Sequence, residues 1–257
     1  MAISRCGSLK RSTLLILVLI LYGSTLAAFW TASIRTLSLY PTMDSYAWQS
    51  VPEANNGGSD NFEIISYDKP PFNMRGWITF DISQVPADAW VVGATFRLRV
   101  WHKTLEDPKM GTGDTTGRVY GVYRLTRPWA ERQVNWANQP NYTELHHATA
   151  PVPPGQGGWY GPLLWMDWDV KDIVKEWQSG VPNYGFMVRD TQEYAPVLYS
   201  TQFFTHDQVP DEGYYPRLLV TYVTLQAVEL LLGMAVAEGL FIIGLWRLKG
   251  NRSDAVR

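Results

Sequence analysis

The chain has 257 residues, 46% hydrophobic and 18% charged, with a formal net charge of -2; this excludes intrinsic disorder, and its scattered 21 Gly and 16 Pro exclude a collagen-like repeat. A single Cys excludes a disulfide-stapled mini-fold. Between Pro41 and Thr224 there are 14 Lys+Arg against 21 Asp+Glu, and an acidic body of this kind argues against nucleic acid as a partner.

The N-terminus carries Arg5, Lys10 and Arg11 ahead of the apolar run Thr13 to Trp30. A basic start, an apolar stretch and the small-x-small Thr25-Leu26-Ala27 read as a signal peptide. The same run is nearly long enough to span a bilayer, so residues 1–30 are expected to be a signal peptide or an uncleaved signal anchor. Cys6 precedes the run and is incidental to it. Residues 31–40 read as a linker.

From residue 41 the pattern changes to short β-rich runs between Gly, Pro and Asn. Trp77 to Ile82 is the first. Ala94, Phe96, Leu98 and Val100 then alternate with Thr95, Arg97, Arg99 and Trp101, the period-two signature of a half-buried antiparallel strand. Further runs are Arg118 to Leu125, Gly185 to Arg189, Val197 to Thr201 and Arg217 to Val223. One helix interrupts them. Val170, Ile173, Val174 and Trp177 fall at i, i+3, i+4 and i+7, Asp167 or Asp169 is placed to cap its start, and Gly180 its end. Asp172 and Glu176 fall on its solvated face. The expected fold is all-β: an antiparallel β-sandwich or jelly roll over 41–224 with one short helix, flanked by N-terminal and C-terminal hydrophobic helices.

The run Leu225 to Leu248 is long enough to cross a membrane, with Trp246 at an interface and Arg247, Lys249, Arg252 and Arg257 beyond. The excess of cations outside both apolar runs predicts a cytoplasmic tail over 249–257 and a body outside the cell. Glu238 falls near mid-span and Glu229 near its edge. A charge at mid-bilayer costs roughly 2.5–3.5 kcal/mol on insertion scales, so such a residue usually pairs. Gly233, Ala237 and Gly239 place small residues beside Glu238, which points to self-association of the span.

The run Val119 to Pro140 contains Trp129, Glu131, Val134, Trp136, Asn138, Gln139 and Pro140 in the spacing W-x-E-x-x-V-x-W-x-N-Q-P. Asp44-Ser45-Tyr46, Arg75 to Ile82 and Ala94 to Leu98 precede it, and Trp168-Asp169-Val170, Asn183 to Phe186 and Tyr215 to Tyr222 follow. This ordered set resembles the DNRLRE-type domain, a secreted β-sandwich found beside polysaccharide-degrading modules, over nearly all of Asp44 to Val223. The resemblance implies carbohydrate binding, since some members are assigned to a module class that recognises acidic polysaccharide. Such domains accompany catalytic modules, a pattern from which this chain is expected to depart.

The residues offer little for catalysis. The four His (His102, His146, His147 and His206) lack zinc spacing, and no nucleophile-elbow or phosphate-loop motif is present. Carboxylate pairs suited to glycoside hydrolysis are numerous but unmarked. Ligand contacts are better sought among Arg75, Arg97 and Arg99, which suit acidic sugars, and Trp101, Trp159, Tyr160 and Trp165 beside loops. Trp129, Glu131, Trp136, Asn138, Gln139 and Pro140 read first as a structural corner and second as a sugar platform. Asp44, Asp60, Asn61 and Asp68 offer hard oxygen donors for a calcium ion. Asn141-Tyr142-Thr143 is a glycosylation sequon in a polar loop that also carries His146-His147. The expected function is a membrane-anchored cell-surface module that binds polysaccharide without catalysis. The rivals are a structural envelope subunit binding a neighbouring protein, and a polysaccharide hydrolase or lyase.

Overall fold

The structure is a computed structural model that describes residues 34–69, 72–103, 117–153, 164–207 and 212–254, with residues 16, 19, 20, 22–25 and 27 of the N-terminal segment. Eleven strands are described: β1 (Arg35–Leu39), β2 (Pro41–Trp48), β3 (Asn61–Ser66), β4 (Met74–Phe80), β5 (Ala89–Lys103), β6 (Val119–Leu125), β7 (Tyr142–Pro151), β8 (Trp165–Asp169), β9 (Phe186–Asp190), β10 (Tyr199–Phe204) and β11 (Arg217–Thr224). Helix α1 (Lys171–Gln178) lies between β8 and β9, and helix α2 (Leu225–Asp254) follows β11 directly. Strand order is β1-β11-β5-β10-β3-β4-β9-β6-β7, with β2 added to β4 and β8 to β5. The pairings are antiparallel, as in β5 with β8 and β6 with β9, and the fold is all-β with few helices.

The chain divides into two compact units. One is the sandwich, Thr36–Ala87 with Val91–Tyr222; the other gathers Met1–Arg35, Asp88–Trp90 and Val223–Arg257.

Strand β5 turns the sheet on itself. Its residues 95–99 pair with β8, while Val100, His102 and Lys103 pair with β10. The buried set runs Ala89, Val91, then Ala94, Phe96, Leu98 and Val100, so the alternation slips by one residue around Gly93. Such a slip bends a strand and exchanges its faces. The buried side chains meet in an aromatic stack. Phe96 lies 5.2 Å from Phe186 and 5.4 Å from Trp168, both nearly parallel, and Phe80 meets Phe96 edge-on at 5.7 Å. Helix α1 closes one end by placing Trp177 4.9 Å from Phe186. Burying each such ring contributes about 1.5–3 kcal/mol.

The expected stripe of α1 is buried as Val170, Ile173, Val174 and Trp177. Its caps differ from the sequence expectation. Val170 occupies the N-cap position, and Asp169 Oδ1 accepts the Lys171 N–H at 3.0 Å. Asp167 belongs to β8. Gly180 ends the helix with φ +101°, a conformation that a side chain disfavours. Glu176 is not on a solvated face. It pairs with Arg124 of β6 at 2.6 Å, because α1 packs its flank against β6 and β7.

Two further expectations change. The segment read as a linker over 31–40 carries β1, whose Thr36 Oγ1 meets Thr221 Oγ1 of β11 at 3.0 Å. The segment read as a polar loop around Asn141 and His146-His147 is largely β7. Its residues Glu144 to His147 are all exposed on an edge strand, so their polarity imitated a loop. Asn141 is exposed just before β7.

Candidate functional site: two arginine–aromatic faces and a histidine among carboxylates

The hallmark run Trp129 to Pro140 folds over the outer side of β2, β4, β9 and β6. Its Trp129, Val134 and Trp136 pack on Ala47, Trp77, Tyr123, Leu125 and Met187. Polar groups of the run are used inside the protein. The Trp129 indole N–H donates to the Tyr184 carbonyl at 2.8 Å. Asn138 Nδ2 donates to the Gln133 carbonyl, and Asn138 Oδ1 accepts the Asn135 N–H. Gln139 Nε2 donates to the Trp136 carbonyl. Pro140 is buried. The Asn183-Tyr184-Gly185-Phe186 turn supports this corner from below. Asn183 Nδ2 donates to the Phe80 carbonyl, and Gly185 has φ +86° with its α-carbon so close to β4 that a Cβ would fall 2.2 Å from the Ile78 carbonyl oxygen.

Arg75 belongs to this covered face. Its Nε and Nη2 donate to the two oxygens of Glu193 at 2.7 Å each, its Nη1 donates to Gln139 Oε1 at 2.9 Å, and its guanidinium lies 4.8 Å over the Trp136 ring. Burial is the largest single influence and opposes the charge on Arg75, but the hydrogen bond to Glu193 and the Glu193 charge, with smaller help from Tyr142 and Tyr194, together outweigh it and raise the pKa. A ligand carboxylate would have to displace Glu193. Arg99 is enclosed as well, 3% exposed, with its guanidinium 3.7 Å from the Tyr214 ring centre and 5.2 Å from that of Phe204. Trp101 packs on the same Phe204 at 5.7 Å. These three sequence candidates therefore make their contacts within the protein, Arg99 buried and Arg75 and Trp101 partly so. Trp159 and Tyr160 lie outside the described residues.

Arg97 and Trp165 are different. They form part of a row across β1, β11, β5 and β8 on the open side of the sheet. Arg97 lies 4.9 Å over Trp165 and bonds Asp167 through two nitrogens. Arg217 lies 5.8 Å from Trp165 and 5.7 Å from Tyr40, and Tyr40 meets Tyr215 edge-on. Tyr40 is 40% exposed, and the Asp167 side chain 47%. Chemically the row offers two aromatic faces for sugar rings and two guanidinium groups for carboxylates or sulfates. The signals for it in the sequence were the Arg97 position on an alternating strand and Trp165 beside a loop; Tyr40 carried no motif, and Arg217, inside the family-like run Tyr215 to Tyr222, was not singled out as a ligand contact.

A third constellation lies where β2 meets the hallmark run. Asp44, 2% exposed, accepts both the backbone N–H of His206 at 3.0 Å and its ring Nδ1 at 2.6 Å. Glu131 Oε1 accepts the Asp44 N–H at 3.0 Å and faces His206 Nε2 at 3.8 Å, and Asp207 Oδ1 faces the same nitrogen at 3.7 Å. Ligand atoms of these four residues lie within 4.8 Å of one another. Of the sequence candidates for calcium, Asp44 alone joins this group. Asp60 is exposed, Asn61 opens β3 opposite Phe204, and the Asp68 N–H is bonded to Ala195. An imidazole at the centre departs from the all-oxygen shell that calcium prefers. Nε2 lies at ion-pair rather than hydrogen-bond distance from the two facing carboxylates, and the His206 pKa is raised, chiefly by the Asp44 bond.

The model of carbohydrate-binding module family 96 matches residues 35–209. The chain belongs to that family. The match spans the sandwich from β1 through His206, so it takes in the hallmark corner, Tyr40, Arg97 and Trp165. No curated protein matches the chain. A family of carbohydrate-binding modules carries polysaccharide as its partner class, which agrees with the open aromatic row.

Proposed function

We propose that this protein is a membrane-anchored, cell-surface module that binds an acidic polysaccharide and has no catalysis of its own. The single observation that carries the reading is the family match over residues 35–209, and the row Tyr40–Arg217–Arg97–Trp165 is the surface assigned to the ligand. Sugar rings stack on Trp165 and Tyr40. Glycan carboxylates approach Arg97 and Arg217, whose acidic surroundings make recognition local rather than long-range. The likeness to DNRLRE-type domains supports the acidic class of ligand. Helix α2 supplies the anchor: Ala227–Gly244 is long and apolar enough to cross a membrane, and its Leu232, Val236, Leu240 and Phe241 are exposed as lipid contact requires. The cations beyond both apolar runs support a cytoplasmic tail and an external sandwich.

The test is a glycan array probed with the full chain in lipid nanodiscs, followed by assay of bound glycans for cleavage. Binding to acidic glycans that weakens with salt and with Trp165→Ala, and leaves the glycan intact, is expected. Turnover would move the protein to the hydrolases or lyases. Silence across all glycans would replace the reading with a structural envelope subunit.

A further inference from the structure

Trp90 is the most exposed large hydrophobic side chain among the described residues outside the two apolar terminal segments, at 59%. A lone exposed hydrophobe is ordinary. The position of this one is not. Asp88–Trp90 fall in the same compact unit as Val223–Arg257 and Arg35, apart from the rest of β5. The register explains the grouping. Gly93 faces Thr221, with a Cβ there 3.8 Å from the Thr221 Cβ, and Arg99 of β5 stacks on Tyr214 just before β11. β5 and β11 therefore run antiparallel, and counting back from Gly93 brings Trp90 within a residue of Thr224. That is where β11 ends and α2 begins, with no residue between them.

A helix that spans the bilayer from Leu225 onward enters the headgroup layer at its first turn. Whatever lies level with Thr224 lies at that layer too. Tryptophan is enriched there because its ring is apolar and its indole N–H reaches polar groups. Val92, 36% exposed two residues on, shares the outward face of the strand. Exposed Arg35, in the same unit, is a cation of the kind that meets lipid phosphates.

We propose that the start of β5, with Trp90 at its centre, is a lipid-docking surface that seats in the headgroup layer beside the entry of α2. The occupant is the bilayer surface itself. The inference rests on the anchoring reading above and adds a second, non-covalently seated point of contact with the bilayer.

The chain has one cysteine, Cys6, so a Cys6→Ser background allows a single spin label at a chosen site. Labels at Trp90→Cys, at Leu145→Cys on exposed β7 and at Leu232→Cys in α2 are compared in the full chain, in phosphatidylcholine–phosphatidylglycerol nanodiscs. Accessibility to oxygen and to a water-soluble nickel chelate is read by power saturation. The label at 90 is expected to fall between the other two, with an oxygen-to-nickel ratio several-fold above that at 145. A label at 90 that reads as aqueous as that at 145, while 232 reads as bilayer core, overturns the docking surface and leaves the anchor standing. Shielding of label 90 from both reagents also overturns it, by reporting protein contact instead of lipid. An aqueous label at 232 removes the anchor, and the docking surface falls with it.

Discussion

Arg75 and Arg97 make nearly the same contacts. Each stacks on a tryptophan, at 4.8 and 4.9 Å, and each bonds one carboxylate through two nitrogens. What differs is the cover. Side-chain exposures are 16% and 7% for Arg75 and Glu193, but 29% and 47% for Arg97 and Asp167. Gln139 of the hallmark corner bonds Arg75 in the first pair, whereas the second pair stays open to water on its Asp167 side. An Arg–Trp–carboxylate set is thus closed or open to a ligand according to what lies above it, which residue types alone do not disclose.

The sharpest way to break the comparison is to remove the covered anion. Glu193 also faces Arg189 at 3.7 Å, so Glu193→Ala leaves the partly buried Arg75 without its carboxylate and Arg189 with only Glu144 at 3.8 Å and the Asp190 carbonyl. Losing one partner of a buried pair costs about 3–5 kcal/mol. Denaturant unfolding followed by tryptophan fluorescence is expected to show a loss of that size. A loss under about 1 kcal/mol would put the covered pair on the level of an exposed one and erase the distinction.

The next effect concerns the cover itself. Trp129→Phe keeps an aromatic ring but removes the indole N–H from the Tyr184 carbonyl, which keeps only the longer bond from the Thr79 hydroxyl at 3.3 Å, at a cost of about 1 kcal/mol. The same denaturation measurement checks it, with glycan affinity unchanged. A variant that keeps full stability but loses glycan binding would show the hallmark corner to be the sugar platform instead.

The histidine at the edge of the covered face sharpens the comparison through pH. The His206 pKa is raised, mainly by its bond to Asp44, so the protonated ring is favoured in the fold. Its contribution is fully present below the unfolded value of 6.5 and is lost as pH rises through the folded value. A charge-assisted bond of this kind contributes about 1.5 kcal/mol. Unfolding midpoints of the wild type are expected to fall as pH rises from 6 to above 8, relative to His206→Gln, which should be flat across that interval. Parallel curves for the two proteins would deny His206 the role.

Sequence alone made the half-buried alternation of β5 and the stripe of α1 legible, because both bury one face of a regular element. The hallmark spacing was legible as a corner for a related reason: Asn135, Asn138 and Gln139 each serve a backbone neighbour within a few residues, whereas the reach of Trp129 to Tyr184 and of Glu131 to Asp44 was not legible. β1 and β7 were not legible. They are edge strands with few buried residues, so burial leaves no mark on their composition. The Asp44–Glu131–His206–Asp207 group was missed because its members are up to 163 residues apart and only the register of β2 and the end of β10 brings them together. The row on the open face needed Tyr40 and Arg217, neighbours through the pairing of β1 with β11, which no local pattern encodes.

The smallest expected effect tests the open pair. Asp167 is half exposed, so its ion pair with Arg97 is screened by water and salt and contributes under about 1 kcal/mol. Asp167→Asn should leave the unfolding midpoint nearly unmoved. It should also strengthen binding to an acidic glycan, because Arg97 no longer has to leave a resident carboxylate, and the row loses one negative charge facing the ligand. Both changes act on the glycan carboxylate, so the gain should shrink with added salt and vanish for a neutral glycan of the same linkage. Affinities of the wild type and Asp167→Asn for matched acidic and neutral oligosaccharides, at two salt concentrations, decide it. An equal gain on the neutral glycan would mean that Trp165 stacking governs binding and that Arg97 contributes only its flat face.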